Sequence, residues 1–140
     1  MKSNKTSLRH WIGRILSGLA ISFLIFDGVL KFFMDKLPPE GLEAIKKLEW
    51  PMDLMPAIGI ILLLCTILYI IPRTSVIGAV LLTGYLGGAV ASHVRVGNPL
   101  LSHTMFPVYI GVFVWLGLYL RDLRLRHLFS ETKLDANDFH

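Results

Sequence analysis

Ile12-Gly-Arg-Ile-Leu-Ser-Gly-Leu-Ala-Ile-Ser-Phe-Leu-Ile-Phe-Asp-Gly-Val-Leu-Lys-Phe-Phe33 decides the class of this chain. Its core, Ile15 to Phe26, carries no charge. A run this long and apolar crosses a bilayer as a helix, which takes about 17–25 residues. Near its end stand Asp27 and Lys31. A carboxylate in hydrocarbon costs about 2.5–3.5 kcal/mol on insertion scales, so it must face other helices, a partner or water. With the acid four residues before the base, both side chains share one helix face and meet. The stretch therefore predicts a membrane helix that contributes a polar pair to a bundle.

The rest of the chain repeats the pattern. Of its 140 residues 54% are hydrophobic and 17% charged, where soluble domains carry about a quarter charged. Mean hydropathy is +0.60. Three further apolar blocks are near spanning length: 52–71, 74–92 and 103–120. Pro72-Arg73 breaks the chain between the second and third blocks. A loop with Gly97, Asn98 and Pro99 separates the third from the fourth. The expected architecture is all-α, an antiparallel four-helix transmembrane bundle. Residues 12–122 form one membrane domain between an N-terminal segment, 1–11, and a tail, 123–140. The start is read as an uncleaved first span, since no small-x-small cleavage site precedes Asp27. The tail after Phe129 is polar and expected to be disordered.

The first loop has structure of its own. Pro39 to Trp50 fits a short amphipathic helix with Leu42, Ile45 and Leu48 on its apolar edge and Pro39 in its first turn. It is expected flat on the membrane surface, with Trp50 among the headgroups.

Charge sets the orientation. With four spans, the side bearing both termini and the Pro72-Arg73 turn carries Lys2, Lys5, Arg9, Arg73, Arg121, Arg124, Arg126 and Lys133. The opposite side carries Lys36, Lys46, Lys47 and Arg95, mixed with Asp35, Glu40, Glu43 and Glu49. This bias places both termini in the cytoplasm, as in a bacterial inner-membrane protein. The net charge of +4 then reports topology and anionic lipid. Bases and aromatics are not interleaved in any run, so nucleic acid is not an expected partner.

Small residues mark helix contacts in lipid. Gly13, Ser17, Ala20, Leu24, Asp27 and Lys31 form one stripe along the first span. Gly84-Tyr-Leu-Gly-Gly88 gives the third span a GxxxG step, expected to pack tightly within the chain. Pro107 and Gly111 allow a local bend in the fourth span.

Polar residues gather at the far end of the bundle: Asp27, Lys31, Asp53, His93, Arg95, Asn98, Ser102 and His103. They can pair internally, Asp27 with Lys31 or Arg95. They can also hold a polar head group, a quinone ring or a proton. Each has a plainer role beside the functional one. Lys31 can snorkel to the surface, Asp53 can cap the second helix, and His93 and His103 can be interfacial loop residues. Tyr85 can simply pack and hydrogen-bond its hydroxyl. A metal site would need three or four gathered ligands and is not expected. Cys65 is the only cysteine, which excludes dithiol–disulfide chemistry.

Three stretches resemble the DoxX-like family of small four-helix membrane proteins. They are Phe26-Asp-Gly-Val-Leu-Lys-Phe32, then Gly84-Tyr-Leu-Gly-Gly-Ala-Val-Ala-Ser-His-Val-Arg-Val-Gly-Asn-Pro99, and Ser102-His-Thr-Met-Phe-Pro-Val-Tyr-Ile-Gly111 with Trp115 to Asp122. The resemblance covers roughly Arg14 to Asp122. It implies matching polar positions at Asp27, Lys31, His93, Arg95 and His103. It also implies a link to a membrane subunit of thiosulfate oxidation that passes electrons to quinone, or to assembly factors.

Three functions follow. The chain is a partner or assembly subunit of a membrane complex. Alternatively, it binds a quinone, with His93 and Tyr85 as donors and Asp27 handling a proton. Or it is a small transporter or lipid-binding protein gated by Asp27 and Lys31.

Overall fold

The computed structural model describes residues 2–128. The tail expected to be disordered lies outside them. Among the described residues the α-helices follow in order: α1 (Lys2–Leu30), α2 (Pro39–Lys46), α3 (Met55–Ile70), α4 (Ser75–Arg95) and α5 (Phe106–Arg121), with 123–128 also helical. Among the described residues there is no strand. The segments Ser7–Leu30, Met52–Ile70, Ser75–Arg95 and Leu100–Arg121 are long and apolar enough to cross a membrane. The protein is a multi-pass membrane protein built as a four-helix bundle.

The span boundaries shift for local reasons. α1 starts at Lys2, well before Ile12, because no Gly or Pro interrupts the polar segment ahead of the apolar run. It stops at Leu30 rather than Phe33. There, i→i+3 bonds from Phe32 N to Val29 O and from Phe33 N to Leu30 O tighten the chain, each at 3.0 Å. Pro38 and Pro39 then block any continuation. α4 runs to Arg95, three residues past the expected end, so His93 and Arg95 are helical rather than loop residues. Gly97, at φ +67°, ends it. Asn98 N bonds to His93 O and Gly97 N to Val94 O, each at 3.1 Å, the paired bonds of a glycine-terminated helix. A π-type turn, Leu100–Thr104, precedes α5. Pro107 falls in the first turn of α5, where its missing N–H costs nothing. It helps to start α5 directly after the π-type turn with which the span begins.

The bundle is a ring. α1 lies beside α3 and α5, and α4 also lies beside α3 and α5, so α1 and α4 face each other diagonally. Leu24, Leu62, Leu82, Val114 and Leu118 fill the middle, each at most 1% exposed.

At the end bearing the N-terminus the helices touch closely. A Cβ on Gly13 would meet Leu120 Cβ at 2.8 Å, and one on Gly117 would meet Ser17 Oγ at 2.5 Å. Gly78 lies against the Tyr69 backbone across the Pro72-Arg73 turn. Tyr69 is fully buried. Its hydroxyl donates to Val114 O at 2.8 Å and receives the Ser17 hydroxyl at 3.0 Å. Arg121 caps the arrangement, 4.8 Å from the Tyr69 ring centroid and 3.1 Å from Tyr69 O. This end therefore has a polar core that the sequence had not suggested. The Ser17 and Tyr69 hydroxyls are satisfied within the bundle, as membrane helices require.

Candidate functional site

The opposite end is open. Between the diagonal helices lies a cavity of about 500 Å³, within the usual range for small-molecule sites of about 300–1,000 Å³. α1 gives it Phe23, Leu24, Asp27 and Leu30, followed by Lys31 and Met34. α3 gives Met55, Ile58 and Ile61. α4 gives Gly84, Tyr85, Leu86, Gly88, Ala89, Ser92 and His93. Phe106 and Pro107 close one side.

Asp27 and Lys31 meet as their spacing predicts, with Nζ 2.6 Å from Oδ2. The Tyr85 hydroxyl donates to the same oxygen at 3.5 Å. Lys31 Nζ stands 6.0 Å from the centroid of the Tyr85 ring. Pairing leaves the site neutral overall, which removes most of the cost of a bare carboxylate at this depth. An ammonium has three protons. One serves Asp27 Oδ2, and a longer 3.5 Å contact reaches Asp27 O. Lys31 retains capacity for a ligand.

His93 is oriented by the end of its own helix. The cap that terminates α4 carries Asn98 back to it, with Nδ2 2.8 Å from His93 Nδ1. An amide NH2 only donates. His93 Nδ1 is therefore the acceptor, and the neutral ring holds its proton on Nε2. His93 lines the cavity, and its ring carries that donor. The signal was present in the sequence as Gly97-Asn98 directly after α4, but only the cap geometry connects it to His93.

The other candidates separate from this group. Asp53 is exposed in a 3-10 turn, Met52–Leu54, makes no capping bond and does not line the cavity. The second helix begins instead at Met55, with Pro56 in its first turn, so no acid cap is used. His103 is exposed, bonded to Ser102 Oγ at 2.8 Å, its ring centroid 6.2 Å from that of His93. Arg95 does not pair with Asp27. Its Nη2 donates to Leu48 O at 2.6 Å. Among the described residues no three His, Cys, Asp or Glu side chains converge as a metal site would need.

Arg95 thereby anchors the first loop. Leu42, Ile45 and Leu48 form the half-buried edge of α2 and its exit, as their spacing suggests. That edge turns toward the bundle, and Ile45, Leu48 and Trp50 line the cavity. Trp50 Nε1 donates to Ser92 Oγ at 3.2 Å. Trp50 thus has a partner on α4, where the sequence suggested only a headgroup contact. The loop lies across the end of the bundle as a cover.

The GxxxG step behaves unlike its expectation. No atom lies within 4 Å of a Cβ built on Gly84, Gly87 or Gly88. Gly84 and Gly88 leave room in the cavity instead of gripping a neighbour. The close approaches fall at Gly13, Gly28, Gly59, Gly78 and Gly117.

Neither a curated protein nor a solved structure matches the chain significantly. The stretch from Ile15 to Gly117, which supplies every wall of the cavity and most of the closed end, matches the model of the DoxX-like family, and the chain belongs to that family.

Proposed function

We propose that this protein binds the head group of a membrane-soluble carbonyl compound, a quinone or a related ring, as a membrane subunit serving a redox reaction. One observation carries the proposal. The cavity joins apolar walls to two donors with unused capacity, His93 Nε2–H and Lys31 Nζ. A flat apolar ring with carbonyl oxygens fits that chemistry, since buried acceptors need donors and the ring needs none. Tyr85 is engaged by Asp27. It steadies the carboxylate and is not a direct donor to the ligand. Asp27 holds Lys31 and is the group able to take a proton from a reduced ring.

The excess of Lys and Arg on the side of the termini supports an orientation with both termini in the cytoplasm of a bacterial cell. The cavity then lies in the outer half of the inner membrane.

The test is purification in mild detergent with native lipids, followed by mass spectrometry of what remains bound. His93→Ala and Asp27→Asn are run beside the unaltered chain. A stoichiometric quinone that both variants lose supports the proposal. A retained protein subunit with no small molecule overturns it in favour of a partner or assembly role.

A further inference from the structure

We infer that the cavity opens sideways into the bilayer between α3 and α4, and that its ligand is an amphiphile whose aliphatic tail leaves through that opening. This rests on the head-group site proposed above and specifies the class of molecule it takes.

The argument starts from where the walls are missing. Gly84 and Gly88 line the cavity, are exposed, and have no atom within 4 Å of a built Cβ. Ile61 of α3 also lines the cavity and is 55% exposed. α3 and α4 are antiparallel neighbours. Ile61 and Gly84 stand at the same height, each 11 residues from the nearer residue of the Pro72-Arg73 turn. Both belong to spanning segments. An exposed residue at that depth faces hydrocarbon, not water. The cavity is therefore continuous with the lipid at a point where α4 has no side chains to close it.

Along the bundle axis the cavity is covered at both ends. The first loop covers the end toward the aqueous phase, held by Trp50 on Ser92 and Arg95 on Leu48 O. The closed end of the bundle blocks the opposite direction through Gly13, Gly117 and Tyr69. The polar groups Asp27, Lys31 and His93 come from α1, its exit and the last turn of α4. The opening is bounded by Ile61, Gly84 and Gly88. A molecule with its head among the former extends past the latter only if that part is apolar. Glycine suits this role, because any side chain there would occupy the path of the tail.

Two probes test the inference in lipid nanodiscs: tetramethylbenzoquinone, which has no tail, and a ubiquinone with a long isoprenoid tail. The variants are Gly84→Leu with Gly88→Leu, Ile61→Trp from the opposite helix, and Gly87→Leu. Gly87 is equally uncrowded but lines a separate groove between α4 and α5. Filling the opening should weaken the tailed quinone about tenfold or more, the scale of overpacking an apolar contact. The tail-less ring should bind within about twofold of the unaltered chain, and Gly87→Leu should bind both as the unaltered chain does. Unchanged affinity for the tailed probe in both the glycine and Ile61 variants overturns the opening. Equal loss of both probes also overturns it, since Leu would then be filling the head-group site. An unaltered chain that binds neither probe overturns the head-group site itself. Ile61→Trp keeps the test decisive if the double glycine variant does not purify as a single species.

Discussion

The closed end of this bundle and the α4 wall of its open end use glycine in opposite ways. At the N-terminal end Gly13, Gly78 and Gly117 are crowded by backbone and side chains of the neighbouring helix. At the other end Gly84 and Gly88 face empty space. In the first case the missing side chain lets helices touch, which is how membrane helices gain packing without a hydrophobic drive between them. In the second it keeps them from filling a cavity. One end supplies the stability that lets the other remain hollow. A small residue in a membrane helix thus has no meaning until its partner is known.

The largest effect should come from crossing that distinction. Gly78→Leu forces a side chain into the Tyr69 backbone, which cannot move aside as a flexible side chain can. It should destabilise the fold by about 3 kcal/mol, the upper part of the overpacking range. Gly84→Leu places the same side chain in open space and should change stability by no more than about 0.5 kcal/mol. Unfolding by SDS titration from mixed micelles compares the two directly. Equal losses would show that the two ends are not different in kind.

Next comes the ion pair. Lys31→Met leaves Asp27 with only the long Tyr85 contact. Breaking a buried pair costs about 3–5 kcal/mol; the Lys31 and Asp27 side chains keep 11% and 31% of their exposure, so a loss at the lower edge of that range, about 2–3 kcal/mol, is expected. Lys31→Met with Asp27→Asn should recover most of it. A double variant less stable than Lys31→Met alone would mean that Asp27 has a role in folding apart from Lys31. At the closed end, Tyr69→Phe removes the hydroxyl that joins Ser17 to Val114 O. The same titration should show a loss of about 1 kcal/mol, since polar contacts between membrane helices are worth about that or less.

The sequence made one half of this comparison legible. The stripe Gly13, Ser17, Ala20 and Leu24 is buried throughout, and Asp27 and Lys31 continue it half-buried. Periodicity finds such a face because 3.6 residues per turn align it whatever it meets. The other half depended on what lies opposite. GxxxG on α4 has the same spacing as a packing motif, yet α4 is diagonal to α1, and Gly84 and Gly88 meet no neighbour. Tyr69 was hidden for the same reason. In Ile67-Leu-Tyr-Ile-Ile71 it reads as one more apolar residue, and its hydroxyl acquires meaning only from Ser17 and Val114, 52 and 45 residues away. Asp53 and His103 were grouped with the site by their distance along the bundle axis. That coordinate says nothing about which way around the helix they fall.

The cover over the open end should give the smallest change in stability and still alter the site. Trp50 is exposed, and its bond to Ser92 is an exposed one. Ser92 Oγ also donates to Gly88 O at 2.9 Å, so it keeps a partner without Trp50. Trp50→Phe should therefore cost no more than about 0.5 kcal/mol. It retains the apolar ring that covers the cavity. Arg95 on Leu48 O is the second hold, and Arg95→Gln shortens the only side chain that reaches that carbonyl among the described residues. With both changed, the segment from Pro39 to Trp50 keeps its own helix but loses the two hydrogen bonds that tie it to α4. Local opening is governed by such contacts and not by global stability. Amide hydrogen exchange in residues 39–50 should quicken in the double variant while the middle of α3 and α5 stays protected. Exchange that remains unchanged would mean that Ile45 and Leu48 hold the cover by apolar contact alone, and that the open end is closed from water by the same forces that close the other.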